Sequence, residues 1–204
     1  MDNIVYTIGY AAFDINKFID ILNQYKISCL IDVRSKPLAS EYHRIYSKPY
    51  LEPLLKDKNI YYRNYAKEFG AKQTSLSFYN EKNYLDFAKF TKSDIFNAGV
   101  QKLLKILNMG YNTVLMCAEK DPINCHRNIM VAKALRDKGF VIKHIMPDET
   151  IQTQNDIDTR LVQMYFNNVC QLSFFENNID SDLIEKAYTM RNAEIGYSLE
   201  LEAV

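Results

Sequence analysis

Cys117, Cys125, His126 and Arg127 fall in one short stretch, VLMCAEKDPINCHR, with Glu119 and Asp121 between them. Thiols, an imidazole, a guanidinium and carboxylates this close together suit three chemistries: attack by a thiolate, proton transfer by Glu119 or by Asp32 of a neighbouring strand end, and anion binding by Arg127. Cys125 falls near the start of an expected helix, where the helix dipole and a neighbouring arginine lower a thiol pKa. A metal is not expected. Cys125 and His126, adjacent on a helix, would point roughly 100° apart, and none of the four cysteines forms a Cys-x-x-Cys pair. Asp32 and Arg34 make a second group, sharing one face at the end of an apolar strand as a carboxylate beside an anion-binding guanidinium. The expected catalytic residues are therefore Asp32, Cys117, Glu119, Cys125 and His126, with Tyr10, Arg34, Tyr42, His43, Arg44 and Arg127 binding substrate. No cofactor follows from the sequence.

The segment from Asp32 to Lys72 carries nine Lys and Arg against five acids, although the whole chain balances 25 bases against 25 acids. Tyr42, Tyr46, Tyr50, Tyr61, Tyr62 and Tyr65 are interleaved with those charges. Tyrosines stack on bases while Lys and Arg track phosphates, so the segment suits a nucleotide or an exposed nucleic-acid strand. The opposite charge gathers at the other end. From Ser173 to Val204 there are seven acids and two bases, a poor nucleic-acid surface.

These residues need elements to position them. NIVYTIGY reads as a strand, FDINKFIDILNQY as an amphipathic helix and ISCLIDVRS as a strand covered on both faces. After the tyrosine-rich excursion come a short helix near Tyr50 to Lys58 and a small strand at Ile60 to Arg63. Helices follow at Phe78 to Phe90 and Ser93 to Asn108. NTVLMCA then reads as a strand, CHRNIMVAKALRDK as a helix, and FVIKHIM as the final strand. This alternation predicts a doubly wound, Rossmann-like α/β fold: a parallel or mostly parallel sheet with helices on both faces. The α/β domain spans residues 1–148, and a C-terminal helical extension spans 149–204. In such sheets ligands bind beyond the carboxyl ends of the strands, where Tyr10, Asp32, Cys117 and Glu119 fall.

With 48% hydrophobic and 25% charged residues the composition is that of an ordinary globular protein. No stretch approaches the ~18 apolar residues of a membrane span, and no leader pattern opens the chain, so no membrane association and a cytoplasmic location are expected.

In order along the chain, YTIGY, LIDVRSKPLAS, NIYYRNYAKEFGA and VLMCAEKDPINCHR resemble the bacterial and archaeal domain of unknown function 488 family. The resemblance implies an α/β fold and brings no activity with it. A looser similarity links IDVR, and the strand ending in Cys117, to rhodanese-like domains. There the anion loop after the cysteine is short, whereas here Glu119, Asp121 and Pro122 intervene, and two acids would repel an anionic substrate. Gln171, Leu172, Phe174 and Phe175, in QLSFF, resemble the pentapeptide by which bacterial repair and replication proteins hold the sliding clamp; that resemblance implies a partner-binding segment at 171–175.

Three readings follow. The first is an enzyme acting on nucleic acid or nucleotides, in a DNA repair or modification context, with an anion-binding site at the strand ends. The second is a cysteine-dependent sulfurtransferase or phosphatase of rhodanese-like type, with Cys117 as nucleophile. The third is a non-enzymatic module that binds a nucleotide or nucleic acid.

Overall fold

The structure, a computed structural model, describes residues 3–173 and 180–199. Among them six strands form one sheet: β1 (Ile4–Gly9), β2 (Cys29–Asp32), β3 (Tyr61–Asn64), β4 (Thr113–Cys117), β5 (Val141–Ile145) and β6 (Ile151–Thr153). Their order is β3-β2-β4-β1-β5-β6. The first five are parallel, and β6 lies antiparallel on β5.

The apolar runs read from the sequence are the central strands. All five residues of β4 and all four of β2 are buried, as a strand covered on both faces requires. Alternation divides β4 cleanly. Val114 and Met116 join one core layer with Phe18 and Leu22 of α1 (Ile15–Gln24) and Leu51 and Leu55 of α2 (Lys48–Asp57). Leu115 and Cys117 join the other, with Phe69 of α3 (Ala66–Phe69), Phe87 of α4 (Phe87–Phe90) and Phe96 of α5 (Asp94–Asn108). That layer is completed by Leu135 of α6 (Lys133–Arg136), Leu161 of α7 (Gln154–Ser173) and Tyr188 of α8 (Ser181–Ile195). The sheet thus has helices on both faces.

Capping explains several boundaries. Asp14 accepts from the Lys17 amide to open α1, and Ser93 from the Phe96 amide to open α5. Gly110 and Gly139, at φ +85 and +87, end the α5 and α6 segments. Two expectations need correction. The helix expected over Phe78 to Phe90 is a 3-10 turn, a Tyr79–Leu85 bridge and the single turn of α4. FVIKHIM is not the last strand, since β6 follows it.

The extension after residue 148 packs into the same core, through Ile157, Leu161, Val162, Ala187 and Tyr188. Of the expected partner-binding residues, Gln171 and Leu172 fall in the last turn of α7, where side chains are not described, and Phe174 and Phe175 lie outside the described residues. No helix among the described residues is long and apolar enough to cross a membrane.

Candidate functional site

The strand order creates one switch point. The β1 to β2 connection steps over β4, and the β4 to β5 connection steps over β1 in the opposite direction. Helices therefore leave the adjacent ends of β1 and β4 toward opposite faces, opening a crevice between them. Gly9 pairs with Cys117 at that point. Its missing side chain lets the loop after β4 lie across the end of β1: a Cβ on Gly9 would stand 1.9 Å from the Glu119 carbonyl oxygen. The Ala11 amide donates to Ala118 O at 3.1 Å beside it.

Arg127 holds this loop. Its side chain is wholly buried, with Nη1 donating to Glu119 O at 2.5 Å and Nη2 to Lys120 O at 3.1 Å. Its Nε finds no partner among the described residues. The guanidinium expected to meet a substrate anion is instead enclosed, shaping the backbone that carries Glu119. Asp121 is fixed in the same loop, accepting from the Ile123 amide and from Arg160.

The geometry at Cys125 also departs from expectation. Cys125 is extended, at φ −136 and ψ 137, and the helical stretch begins only at its cap, His126. The two side chains are therefore not splayed like neighbours on a helix, and both turn toward Cys117. Cys117 Sγ lies 3.8 Å from His126 Nδ1, Cys125 Sγ lies 2.7 Å from Glu119 Oε2, and the Arg127 amide donates to Cys125 Sγ at 3.4 Å. The two sulfurs and an imidazole nitrogen all lie within 4.8 Å of one another. His126 Nε2 faces Val33 O at 3.0 Å. A carbonyl only accepts, so Nε2 carries the proton. Beyond His126 the chain runs through a π-helical segment, Arg127–Ala132, into α6, a distortion frequent at functional sites.

The two thiols are pushed apart. Burial raises Cys117, and Cys125 and Glu119 facing it raise it further. Burial acts in the same sense on Cys125, but hydrogen bonding with Cys117, the Arg127 charge and His126 outweigh it and hold that thiol well below its ordinary range. Cys125, rather than Cys117, is the sulfur its surroundings acidify. Burial raises the Glu119 carboxyl, whose residue is otherwise exposed at the crevice mouth. Burial alone would lower His126, and its contacts with Cys125 and Val33 O raise it instead.

Across the sheet Asp32 is wholly buried. It accepts from the Arg34 amide at 3.0 Å, Arg34 Nε at 2.9 Å, Arg34 Nη2 at 2.6 Å and the Tyr62 hydroxyl at 2.6 Å. Four donors occupy a carboxylate's lone pairs, so Asp32 holds Arg34 in place and is not free for the acid–base role the sequence suggests for it, whereas Glu119 is exposed. Arg34 Nη2 also donates to Tyr46 O, while its buried Nη1 finds no partner among the described residues. The Arg34 guanidinium lies 5.1 Å from the Tyr10 ring centroid.

Tyr10 ties the groups together. Burial raises its pKa, Arg34 lowers it, and Cys117 and Glu119 both act on it from the β4 side. Its ring stacks on Tyr46 at 4.5 Å and meets His43 edge-on at 5.8 Å. The tyrosine-rich loop thus sits over Tyr10, with Tyr42 91% exposed and Arg44 bonded to the Tyr50 hydroxyl. Sequence reasoning named Tyr46 and Tyr62 as tyrosines of the loop but not as partners of Tyr10 and Asp32, and it missed the Val33 carbonyl. Only the tertiary fold brings Tyr62 to Asp32, and a backbone acceptor leaves no trace in composition.

Comparison with curated proteins and with solved structures finds no match. A family model matches residues 14–134, which contain Asp32, Arg34, the tyrosine-rich loop and the run from Cys117 to Arg127. On that match the chain belongs to the family described as domain of unknown function DUF488.

Proposed function

We propose that the protein is an enzyme acting on a nucleotide or nucleic acid held at the carboxyl edge of the sheet. The observation that carries this reading is the position of Tyr10. One face of the group around it is the exposed, basic, tyrosine-bearing loop, through His43 and Tyr46, and the other is the cluster of Cys117 and Glu119. A base stacked on exposed Tyr42 would set its phosphate against exposed Arg44 and its sugar toward the crevice where Glu119 lies. Glu119 is suited to proton transfer, because burial of its carboxyl raises its pKa toward working pH. Cys125 Sγ, 2.7 Å from Glu119 Oε2, orients it from behind.

The test uses exposed residues. Removing Arg34 would leave Asp32 charged and buried, a loss of about 3–5 kcal/mol that confuses folding with binding. Arg44 and Tyr42 are exposed, and substitutions there leave stability within about 0.5 kcal/mol. Binding of fluorescent single-stranded oligonucleotides should weaken with salt. Arg44→Ala should reduce the slope of log affinity against log salt by about one contact, and Tyr42→Ala should lower affinity by about tenfold, near 1.4 kcal/mol. Glu119→Gln should keep binding and lose turnover on a bound substrate. Absence of binding at low salt would remove the nucleic-acid reading; unchanged turnover in Glu119→Gln would remove Glu119 from the chemistry, and binding without any turnover by the wild type would leave a binding module.

A further inference from the structure

We infer that Cys117, Cys125 and His126 form a binding site for a zinc-class divalent ion, open on the side of Glu119. Two sulfurs and one imidazole nitrogen are a soft-to-borderline donor set, which selects zinc and its tetrahedral relatives over magnesium or calcium. Metal–sulfur bonds of about 2.3 Å and metal–nitrogen bonds of about 2.0 Å place tetrahedral ligands about 3.6–3.8 Å apart. Cys117 Sγ and His126 Nδ1 already stand at 3.8 Å, and all three donor atoms lie within 4.8 Å of one another. Closing the set around an ion asks for shifts of about an ångström at most.

The surroundings are those of a metal ligand set. Because His126 Nε2 donates to Val33 O, the ring is fixed with Nδ1 presenting its lone pair toward Cys117, the arrangement by which metal-bound histidines are oriented from behind. The Arg127 amide points at Cys125 Sγ, as backbone donors do toward metal-bound thiolates. Neither thiol can be recruited by solvent alone, since Cys117 and Cys125 are 2% and 1% exposed. An entry path remains through half-buried His126 and exposed Glu119. Binding holds both cysteines as thiolates, with release of any proton they still carry, and the two thiolates balance the charge of the ion. Three protein ligands leave the fourth position to water or substrate, with the Glu119 carboxyl, 2.7 Å from Cys125 Sγ, beside it.

The inference concerns the same crevice as the proposed activity but does not rest on the loop binding nucleic acid; metal binding and oligonucleotide binding are separate readouts, so either can fail alone. The test is titration of the chelator-treated full chain with Co²⁺, followed by Zn²⁺ competition. One equivalent of cobalt should bind, with thiolate charge-transfer absorption and the visible bands of tetrahedral geometry, and zinc should bleach both. Cys117→Ser, Cys125→Ser and His126→Asn should each weaken binding at least tenfold, whereas the double variant Cys29→Ala with Cys170→Ala should bind as wild type. Should the single variants fold poorly, wild-type protein gives the answer alone: native mass spectrometry should show one bound zinc, and the sulfur-to-cobalt absorption should have the intensity of two thiolate ligands. No cobalt uptake, a six-coordinate spectrum without sulfur absorption, or loss of binding in the double variant would overturn the site.

Discussion

At the scale of single residues, the backbone conformation at Cys125 decides what the cluster is. Were it helical, Cys125 and His126 would diverge; extended, it turns its sulfur with the imidazole toward Cys117. Residue types and spacing located this cluster but could not fix its geometry, because a single ψ angle at a helix cap has no composition signature. His144 teaches the converse. It is a satisfied strand histidine: Nδ1 meets Thr7 Oγ1 at 2.8 Å and Nε2 meets Gln154 Oε1 at 3.1 Å. Burial pushes its pKa down to about 3, with Arg127 and Arg160 acting in the same sense, and Gln154 and Asp121 opposing them. A folded pKa below the unfolded value of about 6.5 means that only the unfolded chain takes up the proton between these limits. Stability linked to His144 is therefore complete above pH ~6.5 and falls by about 1.4 kcal/mol per unit as pH drops toward the folded value. Urea unfolding from pH 7 to pH 4.5 should show a smaller loss in His144→Gln than in wild type. Parallel pH profiles would contradict this assignment.

At the scale of elements, the central strands and the long helices were legible because burial writes itself into sequence as continuous apolar runs and as 3.6-residue periodicity. Strands β2 and β4 and helices α1 and α5 are the clear cases. The failure at Phe78 to Phe90 has a physical cause. Phe78, Tyr79, Leu85, Phe87 and Phe90 all pack on the core, yet Asn83, at φ +60, turns the chain between them, so aromatic spacing imitated a helix. β6 was missed since three residues carry no measurable period. The docking of α7 and α8 was also hidden, because it depends on a buried polar network. Tyr188 donates to Asp158 at 2.6 Å and contacts Gln154 at 2.7 Å, and Gln154 reaches Asn128 at 2.9 Å. Arg136 also pairs with Asp158, so Tyr188→Phe leaves no unpaired charge. That substitution should cost about 1–2 kcal/mol, read by chemical denaturation, and leave oligonucleotide affinity unchanged, because α8 lies away from the tyrosine-rich loop. A loss of affinity without a loss of stability would show that the C-terminal helices belong to the binding surface.

At the scale of the whole molecule, charge and topology agree. A chain with no net charge gathers its bases into the segment from Asp32 to Lys72, and the strand order delivers that segment, the loop after β4 and the end of β1 to one crevice. The position of the crevice could be anticipated from the alternation of strands and helices; the division of labour within it could not. Asp32 and Arg127, two charged residues that the sequence marks as functional, are buried supports for Arg34 and for the Glu119 loop. The groups left facing the opening are Glu119, His126, Tyr42 and Arg44. Hydrogen exchange of the full chain with and without a single-stranded oligonucleotide tests this most directly. Protection should concentrate in residues 33–47 and 118–127, with α7 and α8 unchanged; protection confined to the C-terminal helices, or none at saturating oligonucleotide, would contradict the placement of the functional site at the ends of β1, β2 and β4.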